Sequence, residues 1–104
     1  MAKQIPIALS VSLWFLASTP LVLAESSRVH GAALVHACAA CHGPDGQGQG
    51  AIPSFHTLPK EYLVETLRAF RNDKLQGTVM NRIAKGLEDA DIEAISAYVT
   101  MPRN

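Results

Sequence analysis

The sequence has no excess of charge of either sign, because 9 lysine and arginine residues are balanced by 9 aspartate and glutamate residues. A nucleic-acid-binding protein needs a clustered basic surface, so this balance argues against that class. The chain also lacks internal repeats and any long linker, and 104 residues suffice for one domain. No segment shows the alternation of apolar and polar residues that indicates a half-buried strand. We therefore expect a single all-α domain.

The amino-terminal segment has the layout of a secretory signal peptide. It carries one charge, at Lys3, then an apolar run over residues 5–23, and it ends in a small residue, Ala24, before Glu25. We predict that residues 1–24 are removed on export to the periplasm and that residues 25–104 form the domain. An uncleaved membrane anchor is the alternative, because an uncharged run of this length can span a bilayer. With the leader cleaved, no stable membrane span is expected.

Cysteine is scarce: Cys38 and Cys41 are the only two, and they lie in one short segment. A pair of cysteines in an exported protein is ordinarily a disulfide. A bridge across two intervening residues, however, closes too short a loop to stabilise a fold much. Since a domain over residues 25–104 is close to the size at which one core becomes marginal, another stabilising element is expected.

Three main helices joined by long loops are predicted. Ser26 or Ser27 can cap the first, and Pro59 suits the first turn of the second. Four glycines between Gly43 and Gly50 exclude helix and strand there, so this segment is either a surface loop or a chain lying against a flat ligand. The helices are expected over residues 26–41, 59–72 and 89–100, with a short helical turn over 79–85.

The sharpest motif is Cys-Ala-Ala-Cys-His over residues 38–42, the pattern of covalent attachment of haem c. On a helix, Cys38, Cys41 and His42 are separated by three and four residues and therefore project from one face. Both sulfurs can then form thioethers to one porphyrin while the imidazole reaches its iron. The covalently attached porphyrin would also be the additional stabilising element that so small a domain needs, and it would add apolar volume to the core.

Three other interpretations of the pair carry less weight. A thioredoxin-like redox pair is expected beside a βαβ pattern, which this sequence lacks. A zinc site could recruit His30, His36 or His56, but their spacing is not that of a regular zinc motif. A plain disulfide leaves His42 and the glycine-rich segment unexplained.

A sixth iron ligand is expected from Met80. Thioether ligation opposite imidazole raises the reduction potential and fills the coordination sphere, which suits electron transfer. Met101 lies at the end of the chain beside Pro102, where a ligand is difficult to hold. A lone methionine is by default core filler, and His56 is the one competing ligand. Pro53 can offer its carbonyl to the His42 ring N–H or simply stiffen the loop.

These residues resemble a class I cytochrome c, in particular the cytochrome subunit of flavocytochrome c sulfide dehydrogenase and cytochrome c4 domains. The resemblance implies one covalent haem c, Met80 as axial ligand, and a crossing of the first and last helices through Gly31 and Tyr98. The matching stretches are Cys38–Gly43, Pro53–Phe55, Leu58–Pro59, Tyr62–Leu63, Phe70–Arg71, Thr78–Gly86 and Asp91–Tyr98.

The chain departs from that family in two ways. The family subunit often carries two haem domains, whereas this chain has room for one. His56 and Thr57 also stand where the family commonly has Ala-Gly. The expected function is an exported electron carrier rather than an enzyme, with redox proteins as partners. A narrower version makes it the haem subunit of a sulfide dehydrogenase flavoprotein, and a haem enzyme or gas sensor with an open sixth position is the alternative.

Overall fold

The computed structural model describes Lys3 and residues 19–103, and these residues contain four α-helices. In chain order they are α1 (Thr19–His42), α2 (Lys60–Arg71), α3 (Met80–Ala84) and α4 (Asp89–Val99), with a single 3-10 turn over Pro44–Gly46. Within the described residues no strand forms, and one isolated bridge joins Gln49 and Ile52. The all-α prediction is confirmed.

The first helix starts earlier than predicted. α1 already includes Thr19, so Ser26 and Ser27 lie inside the helix and do not cap it. Leu21, Leu23 and Ala24 before them are strong helix formers and continue the hydrogen-bond ladder at little cost. The expected cap is therefore wrong.

The predicted signal peptide, residues 1–24, falls mostly outside the described residues, and its cleavage stays a prediction. Where the structure describes this segment, Leu21, Val22 and Leu23 are 82%, 70% and 71% exposed, so they contribute nothing to the core. In the part of the chain that is described, no helix combines the length and apolar character needed to cross a membrane.

The other helix ends lie close to their predicted positions. Gly43 ends α1 with a φ of 83°, a conformation that glycine adopts without strain. Pro59 is the residue before α2, one position earlier than expected, and Asn72 follows its last residue. α3 and α4 lie within one residue of the predicted 79–85 and 89–100 segments at each end.

The crossing of α1 over α4 depends on Gly31. A Cβ at this position would lie 3.0 Å from the Cβ of Tyr98 and closer still to the carbonyl oxygen of Ala94. Any side chain would therefore push the helices apart, and Gly31 is buried at the contact. The helix crossing implied by the resemblance is confirmed at both expected residues.

The apolar core is small. Val35 of α1, Leu63 of α2 and the pair Ile95 and Val99 of α4 form its central cluster. Eight hydrophobic side chains are buried in the described part of the chain. So small a core leaves much of the stability of the domain to other sources.

Salt bridges join α2 to α4 outside this core. Arg71 contacts the Asp89 carboxylate at 2.7 Å, Arg68 contacts the same group at 3.3 Å, and Lys60 lies 3.2 Å from Glu93. Exposed pairs of this kind each contribute little, about 0–1 kcal/mol, so they fix the orientation of the helices more than they stabilise the fold.

Ser96 is fully buried on α4, and its hydroxyl has no hydrogen-bond partner among the described residues. An unsatisfied buried hydroxyl costs about 1–3 kcal/mol, and alanine is the better helix former. We expect Ser96→Ala to raise the free energy of unfolding by about 1 kcal/mol, measured by denaturant unfolding of the holoprotein. Thr100→Val is the control, since it removes an exposed hydroxyl that donates to the Ser96 carbonyl. A destabilised Ser96→Ala protein would contradict this expectation.

Asp91 links α1 to the start of α4. Its carboxylate accepts the Glu88 backbone N–H at 2.8 Å and lies 2.7 Å from His30 Nε2. Two hydrogen bonds hold the pKa of Asp91 below its usual value. The bond from the Glu88 amide has the larger effect, and the one with His30 comes next. This carboxylate therefore adds stability above the unfolded-state pKa of about 3.9, and that stability is lost as pH falls through the lower folded-state pKa.

We accordingly expect Asp91→Asn to be less stable than wild type at neutral pH and to lose less stability on acidification below about pH 4. Denaturant unfolding at several pH values measures both effects. Exposed Glu61→Gln is the control and should follow the wild-type pH dependence. Parallel wild-type and Asp91→Asn curves would rule out the linkage.

Candidate haem site

The predicted attachment residues lie in the last turns of α1. Cys38, Cys41 and His42 are all helical, and the helix ends immediately afterwards at Gly43. The two cysteines are not joined in a disulfide, and Cys38 is half-buried while Cys41 is exposed. The spacing along an intact helix keeps the two sulfurs and the imidazole on one side, as the motif requires.

The Cys38 thiol is unsuited to redox exchange. Burial raises its pKa above the usual value, and the nearby Cys41 adds to the rise, while its own backbone hydrogen bond opposes it. A dithiol oxidoreductase needs the opposite, a thiol whose pKa is lowered so that a thiolate forms at neutral pH. The electrostatics therefore disfavour the thioredoxin-like interpretation of the pair.

His42 is oriented by the loop that follows it in the chain. Its Nδ1 lies 2.7 Å from the carbonyl oxygen of Pro53. A carbonyl only accepts, so Nδ1 carries the hydrogen and donates it, which in the neutral ring leaves the lone pair on Nε2. A neutral imidazole held in this tautomer is the form that ligates a metal through Nε2. The expected role of Pro53 is confirmed.

Phe55 also packs against His42, with ring centroids 5.0 Å apart and ring planes inclined at 58°. The loop that carries it is fastened to the glycine-rich segment, because the Gly46 carbonyl accepts the Phe55 amide at 2.9 Å and the Ser54 hydroxyl at 3.1 Å. A Cβ on Gly46 would collide with the Phe55 ring. At Gly46 the segment therefore packs against the Phe55 ring.

The remaining histidines lie apart from this arrangement. His56 is exposed, and its Nδ1 lies 2.9 Å from the Ser54 hydroxyl on the same loop that reaches His42. The same loop carries Pro53, the partner of His42. His36 is exposed and His30 contacts Asp91. Over residues 19–103, no three His, Cys, Asp or Glu side chains cluster in a way that could hold a metal ion.

Met80 is the first residue of α3 and is half-buried. α3 packs against α2, so Met80 lies on a different element from His42. The loop before it, residues 72–79, is exposed throughout. The two predicted axial ligands thus come from separate parts of the fold, with the assignment of Met80 as a ligand remaining a prediction.

The residues present fit a haem. The His42 tautomer leaves a metal-ligating nitrogen free, and two thiols lie one helical turn apart beside it. Several large apolar side chains on the segments flanking this site and Met80 are exposed, which a flat apolar group could cover: Ile52 38%, Leu75 42%, Val79 55% and Ile83 44%. The small core and these exposed side chains together leave room for an apolar cofactor.

The contacts of two residues near the candidate site, Phe55 and Asn81, are not predicted by the sequence. The Phe55 ring lies 13 positions beyond His42, and only the folded glycine-rich loop brings them together. Asn81, beside Met80, bonds several loop groups through its side chain. For Asn81 the sequence shows only an asparagine directly after a candidate ligand. An asparagine on the surface with no structural role would look the same.

The family model for cytochrome c matches residues 29–101 of this chain. The match includes both cysteines, His42 and Met80, and it ends beyond α4.

Several curated proteins are similar to it. Cytochrome c-553 of Helicobacter pylori is 32% identical over 91 residues, 86% of this chain and 91% of that protein. The cytochrome subunit of sulfide dehydrogenase of Chlorobaculum tepidum is 41% identical over 61 residues, 59% of this chain and 56% of that protein. The thiosulfate dehydrogenase electron acceptor of Thiomonas intermedia is 38% identical over 63 residues, 59% of this chain but only 29% of that protein. The chain thus spans well under two thirds of the latter two.

Proposed function

Because this chain belongs to the cytochrome c family, we propose that it is an exported electron carrier in which Cys38 and Cys41 bond one haem and His42 and Met80 ligate its iron. Covalently bound haem c is the cofactor of the family. When bound, the haem supplies an iron that alternates between the ferric and ferrous states. The chain's own residues would supply the ligands of that iron and the protein surroundings of the haem.

The observation that carries the proposal is the bond from His42 Nδ1 to Pro53. It fixes the imidazole in the tautomer whose Nε2 can ligate iron, at a distance of 2.7 Å to the carbonyl oxygen. A hydrogen bond of this kind also raises the basicity of the ligand and so tunes the potential of the metal. Phe55 packs against the same ring and limits its rotation.

Met80 is proposed as the second axial ligand because α3 offers it from a separate element. His42 and Met80 would together fill the coordination of a bound haem iron, which would suit electron transfer rather than oxygen binding. The alternative, a haem enzyme or gas sensor, requires an open sixth position. The ferric optical spectrum separates them: a weak far-red sulfur-to-iron band supports Met80, and high-spin bands would refute the carrier.

The periplasm is the proposed location, reached through cleavage of residues 1–24. Support comes from the layout of the leader, which is that of a secretory signal peptide. Intact mass of the purified protein tests cleavage directly, since a mature chain would start at Glu25. A mass that includes residues 1–24 would contradict it.

The partners are proposed to be redox proteins of sulfur metabolism, with a sulfide dehydrogenase flavoprotein as the narrower version. Support comes from the similarity to the Chlorobaculum tepidum cytochrome subunit of sulfide dehydrogenase. The Thiomonas intermedia thiosulfate dehydrogenase electron acceptor is comparably similar, so an electron acceptor of a different dehydrogenase is the second possibility. Copurification with a flavin-containing protein supports the narrower version, and a free monomer in the native extract rules it out.

A further inference from the structure

The Asn81 side chain is the centre of a hydrogen-bond cluster at the start of α3. Its Oδ1 accepts the Gly77 backbone N–H at 2.8 Å. Its Nδ2 donates to the carbonyl oxygens of Leu75 at 2.7 Å and Phe70 at 3.0 Å. Because a backbone amide only donates and carbonyls only accept, these partners fix the orientation of the side-chain amide.

These bonds join three parts of the chain. Phe70 belongs to α2, Leu75 and Gly77 to the loop before Met80, and Asn81 to α3. Asp73, at the start of the loop, lies 3.3 Å from the same Nδ2. One polar side chain next to Met80 thus connects the loop and α3 to the end of α2.

The other ties of the loop lie at its first residues, where the Lys85 amine contacts the Asp73 carboxylate at 2.7 Å. Its first residues are held by backbone bonds, since the Lys74 and Leu75 amides donate to the Ala69 carbonyl. Further along, residues 76–79 are exposed, and the Gly77 amide is bonded by Asn81 in place of a backbone carbonyl. Gly77 also lies close to α2, because a Cβ there would be 2.9 Å from Cε1 of Phe70. The position of the chain entering Met80 therefore depends on Asn81.

We propose that Asn81 is a positioning residue that holds Met80 in place for iron ligation and so sets how readily another ligand displaces the thioether. The inference rests on the proposed ligation by Met80. A weakly tied loop would let the thioether leave the iron often, because each departure costs only the free energy of the bonds that open. With Asn81 in place, every departure must also break its bonds to the loop or to α2.

Imidazole titration of the ferric holoprotein tests the proposal. We expect Asn81→Ala to bind imidazole about tenfold more tightly than wild type, since one net hydrogen bond corresponds to about that factor in an equilibrium constant. Asn81→Asp keeps the acceptor for Gly77, loses both N–H donors and adds a charge beside Asp73, so an effect at least as large is expected. The sulfur-to-iron band of the ferric variants should weaken in parallel.

Gln76→Ala is the matched control. Gln76 lies in the same loop and donates one side-chain bond to the Asp73 carbonyl at 3.3 Å, within the loop itself. Its removal should leave imidazole affinity within about twofold of wild type. An Asn81→Ala protein with wild-type affinity and a wild-type band would overturn the proposal alone.

A wild-type protein without the sulfur-to-iron band would instead overturn ligation by Met80, and this proposal with it. Amide hydrogen exchange of the wild-type holoprotein gives a readout that does not need any variant to fold. The Gly77 amide should be protected to a degree comparable with the Lys74 amide. Free exchange at Gly77 would overturn the proposal even with the band present.

Discussion

Replacing both Cys38 and Cys41 with serine should leave the chain without covalent haem and largely unfolded. A serine hydroxyl does not form the thioether that a thiol forms, so no bond to the porphyrin remains. The central cluster of the core has four buried residues with partly buried side chains packed around it, and it is too small to replace the lost stabilisation. Acid–acetone extraction followed by denaturing electrophoresis with haem staining measures the loss, and circular dichroism measures the unfolding.

Ala40→Ser is the matched control for the cysteine variants. Ala40 lies between the two cysteines, is exposed, and gains the same hydroxyl without removing a thiol. This variant should keep its haem through extraction and fold as wild type does. Haem that resists extraction in the double serine variant would contradict attachment through these two residues.

Replacing Met80 with alanine should have the second largest effect. The ferric protein is expected to lose its sulfur-to-iron band, and the ferrous protein to bind carbon monoxide at the vacated position. Axial ligands set haem potentials over a range of roughly 0.8 V, and losing a thioether should lower the potential by about 0.2 V of that range. Redox titration followed optically gives the shift.

Met101→Leu separates a ligand from a core methionine. Met101 is the other thioether in the described chain and lies just beyond α4, where it is half-buried. Its replacement should leave the band and the potential unchanged and change only the stability. If the Met101→Leu protein lost the band and the Met80→Ala protein kept it, the ligand would be Met101 and not Met80.

The elements that the sequence predicted well are those with strong local signals. Gly43 and Pro59 mark helix boundaries through backbone geometry alone, and α4 follows from its acidic first turn and its apolar face. The motif over residues 38–42 likewise requires only helical spacing. Such features depend on neighbours in the chain, so the sequence suffices to find them.

Features that depend on distant contacts were missed or misjudged. The Asn81 cluster needs the loop to fold back onto α2, and the Phe55 contact needs the glycine-rich segment to turn. The packing of Gly46 against the Phe55 ring also has no signal in the sequence. The start of α1 at Thr19 is not predicted, because the sequence does not distinguish a serine that caps a helix from a serine inside one.

The most direct test of the account is the intact mass of the purified protein, taken before and after treatment with a thiol-alkylating reagent. The account predicts a polypeptide from Glu25 onward plus the mass of one haem, with no alkylation at Cys38 or Cys41. A bare polypeptide mass that rises by two alkyl groups would contradict it.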